Sequence, residues 1–421
     1  MHAIHGFIMD GEKIIDEVIA LPYKGPKSYT AEDMIEIFCH GSSQIASMIL
    51  DLCLKNGARR ANPGEFTFRA FINGRIDLTE AEAINEIIHA DTQRAVYSLS
   101  DTLRGSLKEK INKFKERLLD LITTIESAIV FPQDVPQIQK DEIGSELNNI
   151  NFELNELIES SKEGQILREG IKVSIIGSAN VGKSSLLNRL LESKRAIVTS
   201  EAGTTRDTLE EKFIIEGYPI VLIDTAGIRK EDKLNKVEKI GIERSKNALE
   251  KSDLALLVID LSQKEDAGTK EIFELLNDKP KIIIGNKLDL VERNGEMANG
   301  PPLASLASGG RIGENCDVSI SAKYGTNIDK LKKLIIEKVK SQTQSPIPNP
   351  QSFYINQRQK ELLLQCSSHV SFAKELSKKD IPDDLISDEL KKAVSKLNEV
   401  TGLKINEDVI ENIFSKFCIG K

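Results

Sequence analysis

Residues Gly177 to Ser184 read GSANVGKS, between an apolar run, IKVSIIG, and a helical run, SSLLNRLL. In that setting glycines let backbone N–H groups wrap a phosphate chain, the Lys183 ammonium reaches the terminal phosphates, and the Ser184 hydroxyl is placed to ligate magnesium. Asn180, Val181 and Gly182 of the turn and Ser185 of the following run are further candidates for contact with the nucleotide. A glycine turn that merely opens a helix is the plain alternative. The turn calls for a nucleoside triphosphate without choosing its base. That choice falls to NKLD, with Asn286, Lys287 and Asp289 after the apolar KIIIG. An Asp carboxylate there accepts two hydrogen bonds, from guanine's N1–H and its exocyclic amine, and adenine cannot supply that pair. A further strand, VSISAK, ends in Ser321, Ala322 and Lys323, suited to backbone contact with the base. Coming in order after the phosphate turn and DTAG (Asp224, Thr225, Ala226, Gly227), these residues point to GTP and Mg2+.

The residue after DTAG is Ile228. A Gln at that place orients the attacking water in Ras-type enzymes, which gain about 10³ to 10⁵ in rate from an arginine finger. Ile228 orients nothing, so either hydrolysis is very slow or the missing charge and water-positioning group come from elsewhere. TSEAGTTRD supplies Thr199, Ser200, Glu201, Ala202, Gly203, Thr204 and Thr205, whose hydroxyls and carbonyls suit closure over the phosphates. Thr205 is placed to complete the magnesium shell.

The elements that must carry these residues fall into four stretches. Residues 1–105 mix strand-like DEVIALPY with AEDMIEIF and TEAEAINEIIHA, whose apolar positions recur at helical spacing, which reads as a small α+β domain. Residues 106–168 carry an apolar stripe at Leu107, Ile111, Phe114, Leu118, Leu121, Ile125 and Ile129, and a second at Ile143, Leu147, Ile150, Leu154 and Leu157. Residues 169–345 alternate apolar strands with helices, the pattern of a parallel α/β sheet. After SPIPNPQ, residues 346–421 are helical again, so the simplest architecture is one all-α domain, from 106–168 and 346–421, with the α/β domain inserted. The stretch VERNGEMANGPPLASLASGGRIGEN, 291–315, is rich in Gly, Ser, Asn and Pro and reads as a surface excursion with no assigned role.

Five scattered cysteines, never as CxxC, indicate neither a disulfide framework nor a zinc site. A net charge of -8 argues against a protein that coats nucleic acid indiscriminately, though a local basic patch can still hold RNA. No apolar run approaches bilayer length and the N-terminus lacks signal-peptide zones, so a cytoplasmic protein is expected. Cys418 matches a prenylation pattern by position, but Gly420 and Lys421 do not fit it. A small buried hydrophobe is the ordinary role for an isolated Cys.

Taken together, GSANVGKSSLLN, AGTTRD, DTAGIR, VEKIGIERS, NKLD, PGEFTFRAFINGRIDLTEAEAI and FCIGK resemble the MnmE (TrmE) family of tRNA-modification GTPases, in its order and over nearly the whole chain. The resemblance implies an N-terminal α+β folate-binding-like domain, a discontinuous all-α helical domain and an inserted Ras-like P-loop G domain. It implies a K+ ion in place of the arginine finger, held by the Asn180 side chain and groups of Thr199, Glu201 and Thr204. Glu238 in VEKIGIER would orient water, with Glu243 the rival and a solvated helix face the bland reading of both. Hydrolysis is expected to need potassium and to strengthen when two G domains meet. The N-terminal domain would form a homodimer and hold 5-formyltetrahydrofolate or a related one-carbon folate through Glu36, Arg75 and Lys421. The family commonly has Lys where Arg75 stands. The family's opening glycine-rich segment, with its arginine, has no counterpart before Met1, which is expected to start within that domain.

Cys418 would lie near the folate and serve tRNA modification as a nucleophile, a proton donor or a structural thiol. With an FAD-dependent MnmG (GidA) type protein as partner in a hetero-oligomer, and tRNA as substrate, the implied outcome is a 5-carboxymethylaminomethyl group on a wobble uridine. A ribosome-assembly or RNA-binding GTPase switch without modification chemistry is the alternative, and a scaffold that binds GTP without turnover is a third.

Overall fold

The computed structural model describes residues 2–131, 133, 140–192, 211–223, 248–263, 267–276, 279–293, 316–342, 353–379, 381–418 and 420. The chain divides into two compact units. One takes Met1–His89, Tyr97–Ser161 and Phe353–Lys421, the other Ala90–Val96 and Lys162–Ser352.

The first unit opens with a three-stranded antiparallel sheet in the order β1 (Ile4–Asp10), β2 (Lys13–Tyr23), β3 (Met34–Phe38). The last strand corrects an expectation: AEDMIEIF is not helical. Ile35, Ile37 and Phe38 are good strand formers, and the segment pairs with β2 from Ile19↔Phe38 to Tyr23↔Met34. A short apolar run fits both periods, and the available sheet edge decides. Helices α1 (Ser43–Lys55), α2 (Glu65–Ile72) and α3 (Leu78–Ile88) follow. At the start of α3 the Asp77 carboxylate accepts from the Glu80 N–H at 2.9 Å and the Asp77 N–H donates to Glu80 Oε2 at 2.7 Å, a reciprocal cap that satisfies two end donors. Next come α4 (Gln93–Leu103) and two long helices, α5 (Ser106–Val130) and α6 (Lys140–Glu169); Gln93–Val96 of α4 and Lys162–Glu169 of α6 are counted with the second unit.

The second unit holds β4 (Ile171–Ile176), α7 (Lys183–Leu191), β5 (Glu211–Ile215), β6 (Tyr218–Ile223), β7 (Leu254–Asp260), α8 (Ala267–Leu275), β8 (Lys281–Asn286), α9 (Leu288–Arg293), β9 (Val318–Ser319) and α10 (Ile328–Gln342). Its six strands run in the order β5-β6-β4-β7-β8-β9, parallel throughout except for β5 against β6. Both faces are covered. Leu254, Leu256 and Val258 of β7 join one core while Ala255, Leu257 and Ile259 join the other, the period-two division of a strand buried on both sides. Strand order reverses at β4, which has β6 on one side and β7 on the other, and a crevice at the carboxyl end of such a strand is where open α/β sheets bind ligands.

The chain then returns to the first unit with α11 (Gln357–Ser377), α12 (Asp383–Thr401) and α13 (Glu407–Phe414). Helices α5, α6, α11 and α12 bury one shared core that includes Phe114, Leu147, Leu363 and Leu390. The second expected stripe is buried in full, from Ile143 to Leu157. The first needs correction at two places. Ile122 takes the buried position and Leu121 only borders it, because steps of four and then three from Leu118 to Ile125 follow the helix face better. Ile129 is 46% exposed in the last turn of α5, beside exposed Val130. Among the described residues no helix is long and apolar enough to cross a membrane.

Candidate functional site

The phosphate turn sits between β4 and α7 and is shaped by close backbone approach. A Cβ on Gly177 would strike the Val258 carbonyl of the neighbouring strand. Gly182 has φ +100, and a Cβ there would strike the Asn286 amide. Asn180 also takes a left-handed conformation, φ +63, which Asn tolerates better than most residues. Helix α7 begins directly after Gly182, and its first N–H groups have no acceptor within the helix. Lys183 is buried, and its ammonium donates to the carbonyls of Gly177 at 2.7 Å and Ser178 at 2.8 Å. A glycine turn packed this closely against Val258 and Asn286, opening a helix and carrying a buried ammonium, fits an anionic phosphate chain.

The base-side residues meet this turn through Asn286, only 2% exposed. Its Nδ2 donates to the Val181 carbonyl at 2.8 Å and its Oδ1 accepts from the Ala322 N–H at 3.0 Å. One side chain thus ties the phosphate turn to the loop Ser321–Lys323. Ser321 Oγ donates to Asp289 Oδ1 at 2.6 Å, setting the carboxylate against the same loop. Lys287, at φ +66, pairs with Asp260 at 2.7 Å. Burial pushes the Asp260 carboxyl up, but hydrogen bonds from Lys287 and Ser262 outweigh it and leave its pKa below the usual value.

Sequence reasoning did not single out Asp260 or Arg189. Arg189 of α7 donates through Nε to the Ala322 carbonyl at 3.2 Å, through Nη2 to the Lys323 carbonyl at 2.6 Å and through Nη1 to Glu192 at 2.9 Å. Its place in the same helix as Lys183, six residues further on, is the one signal the sequence offers. Thr199, Ser200, Glu201, Ala202, Gly203, Thr204, Thr205, Asp224, Thr225, Ala226, Gly227, Glu238, Glu243 and Lys421 lie outside the described residues.

The other candidates lie in the first unit. Glu36 on β3 accepts from the Tyr23 hydroxyl at 2.9 Å, and that bond, with burial, raises the Tyr23 pKa. Among the described residues the Glu36 carboxylate takes this one side-chain hydrogen bond. Arg75 instead stacks on Tyr29, its guanidinium carbon 4.6 Å from the ring centroid. Cys418 is exposed, not a buried hydrophobe, and follows Phe414 and Phe417, which are buried at 4% and 5%. Those rings stack at 5.2 Å, and Phe68 of α2 meets Phe414 edge-on at 5.3 Å. Gly64, at φ +69, fits under this pair: a Cβ would come within 2.6 Å of the Phe414 carbonyl and 3.0 Å of Phe417 Cβ. Its N–H donates to the Cys418 carbonyl at 3.4 Å. Beside it, hydrogen bonds from Arg59 and the Asn62 N–H hold the Glu65 carboxyl down at about 2. Cys366 is the opposite kind of thiol, buried in the helical core and pushed up to about 12 by that burial.

The family model for the MnmE helical domain matches residues 78–418, and that for the GTP-binding protein TrmE N-terminus matches residues 1–75. The tRNA modification GTPase MnmE of Moorella thermoacetica is 41% identical over 421 residues, covering 99% of this chain and 88% of that protein. Its namesake from Nostoc sp. is 39% identical over 420 residues, covering 99% and 89%. That from Thermotoga maritima is 38% identical over 420 residues, covering 100% and 90%. Among solved structures, Era from Aquifex aeolicus aligns with 24% identity over 50% of this chain and 69% of that one, at a TM-score of 0.27, too distant a likeness to carry an argument. With both family models and full-length relatives in agreement, the chain belongs to the MnmE family of tRNA modification GTPases.

Proposed function

We propose that this chain hydrolyses GTP to GDP and phosphate in a potassium-dependent manner and thereby supports 5-carboxymethylaminomethyl modification of tRNA wobble uridine, together with an FAD-dependent MnmG (GidA) type partner. The observation that carries the reading is the Asn286 bridge, which sets a phosphate-shaped turn and a base-shaped loop in one fixed relation. Lys183 steadies the terminal phosphates, and Asp289, held by Ser321, accepts from the guanine edge. Ser184, Thr205 and Asp224 are the residues that would serve Mg2+. Asn180, Thr199, Glu201 and Thr204 would hold K+. When bound, these cations supply positive charge against the negative charge that develops on the phosphates. Glu238 orients the attacking water.

The remaining assignments concern the first unit and the assembly. Residues 1–105 are assigned a folate-binding-like fold and dimerisation, with the G domain, 169–345, inserted between the two halves of the helical domain, in a cytoplasmic protein. Glu36 would pair with a one-carbon folate such as 5-formyltetrahydrofolate, while Arg75 and Lys421 suit its glutamate tail. Arg75 differs from Lys in geometry while keeping the charge. The exposure of Cys418 permits a chemical role, as nucleophile or proton donor, which a buried thiol would not.

The test has two parts. Purified protein should turn over GTP faster in potassium than in sodium; equal rates would remove the cation assignment, and equal handling of ATP would remove the guanine pocket. In cells lacking the protein, supplying this chain should restore the modified wobble uridine. Hydrolysis without restoration would favour the RNA-binding switch instead.

A further inference from the structure

Arg189 is the one long cation of helix α7 whose guanidinium is spent on main-chain carbonyls of another loop. The helix is nine residues long and starts with Lys183 at the phosphate turn. Arg189 lies six positions further on, about 9 Å along the axis at the usual helical rise. There its planar fork reaches Ala322 and Lys323, the residues against which the base is expected to lie, while Glu192 holds the third nitrogen. Gly325, at φ +77, closes the loop against the guanidinium: a Cβ there would sit 3.7 Å from Arg189 Nε. Asn286 approaches the same loop from inside through the Ala322 N–H. The peptide group between Ser321 and Ala322 and the carbonyl of Ala322 are therefore gripped from two directions.

We infer that Arg189 is a positioning residue for guanine: it fixes the Ser321–Lys323 loop to the helix that carries the phosphate-binding lysine, and so slows nucleotide release. This rests on the guanine-nucleotide reading of the same site. Hydrogen bonds from a charged donor to carbonyls are among the stronger ones, and two in a planar fork also fix geometry. A lysine keeps the charge without the fork. A brace of this kind acts on the base and leaves the phosphate turn alone. That separates it from a residue that simply stabilises α7.

The experiment measures dissociation of GDP and competition by inorganic tripolyphosphate, which has no base, in the full chain and in Arg189→Gln and Arg189→Lys. Arg189→Gln is expected to release GDP about tenfold faster, a rise of about the size that one lost charge-assisted bond gives. Arg189→Lys should fall in between, and tripolyphosphate should compete equally in all three. A GDP release rate within twofold of the parent in Arg189→Gln overturns the inference. So does a parallel loss of GDP and tripolyphosphate affinity, which would assign Arg189 to holding the helix. Failure of the unaltered chain to bind GDP would instead sink the guanine reading beneath it. Arg189 is partly exposed, so both variants are expected to fold; if Arg189→Gln does not, Arg189→Lys carries the same comparison.

Discussion

Gly182 and Gly64 are both left-handed glycines pressed against another part of the chain, yet they hold different kinds of thing. Gly182 leans on Asn286 inside the sheet unit, where the working atoms are main-chain N–H groups and a buried bridge. Gly64 supports two phenylalanines far along the chain, and through them an exposed thiol. The first glycine belongs to a turn whose chemical groups come from one short motif, locked by a single distant side chain. The second belongs to a site that exists only once distant segments have packed.

Four substitutions would break or sharpen that comparison. Lys183→Ala should have the largest effect, lowering the rate of GTP hydrolysis by about 10² to 10³, the usual loss for one group aimed at developing charge; steady-state turnover in potassium would read it. Asn286→Ala should come next. It strands the Val181 carbonyl and the Ala322 N–H, each a buried group worth about 1–3 kcal/mol when unpaired. Weaker GDP binding and a lower unfolding midpoint are both expected, and an unchanged midpoint would show that water replaces the bridge.

Gly64→Ala should cost about 1–3 kcal/mol in urea unfolding through its left-handed backbone. It should also change the rate at which Cys418 is alkylated while GDP affinity stays the same. A shift in GDP affinity would show that the two glycines are not independent. Glu65→Gln should do least, under about 1 kcal/mol, since its partner Arg59 is largely exposed. Because the folded carboxyl titrates near 2 and not at the ordinary 4.5, its contribution is full above about 4.5 and fades as the pH falls toward 2. The stability gap between parent and variant should therefore close over that acid range and stay constant above it.

The same contrast explains what could be read from residue order alone. The phosphate turn, its strand and its helix were legible because glycine, lysine and hydroxyl types at fixed spacing carry the chemistry themselves. The α5 and α6 stripes were legible because long helices repeat their signal, failing only at Leu121 and Ile129, where either of two neighbours fits the period or the helix runs past its partners. AEDMIEIF misled because eight residues do not separate a strand from a helix. Arg189, Asp260 and the seat beneath Cys418 were invisible, since their partners lie far away in the sequence and no local pattern announces them. Glu36 and Arg75 were singled out by resemblance, and their bonds to Tyr23 and Tyr29 were not foreseen.

The cluster that joins Phe68, Phe71, Leu78, Phe414 and Phe417 has a bearing on how the chain is made. Helices α2 and α3 leave the ribosome long before α13 exists, so their aromatic face is born uncovered and must wait for residues synthesised almost a whole chain later. Contacts of such sequence separation form slowly and leave apolar surface open to wrong partners in the meantime. Nascent chains halted before Phe414 should therefore need chaperone protection that the completed chain no longer requires.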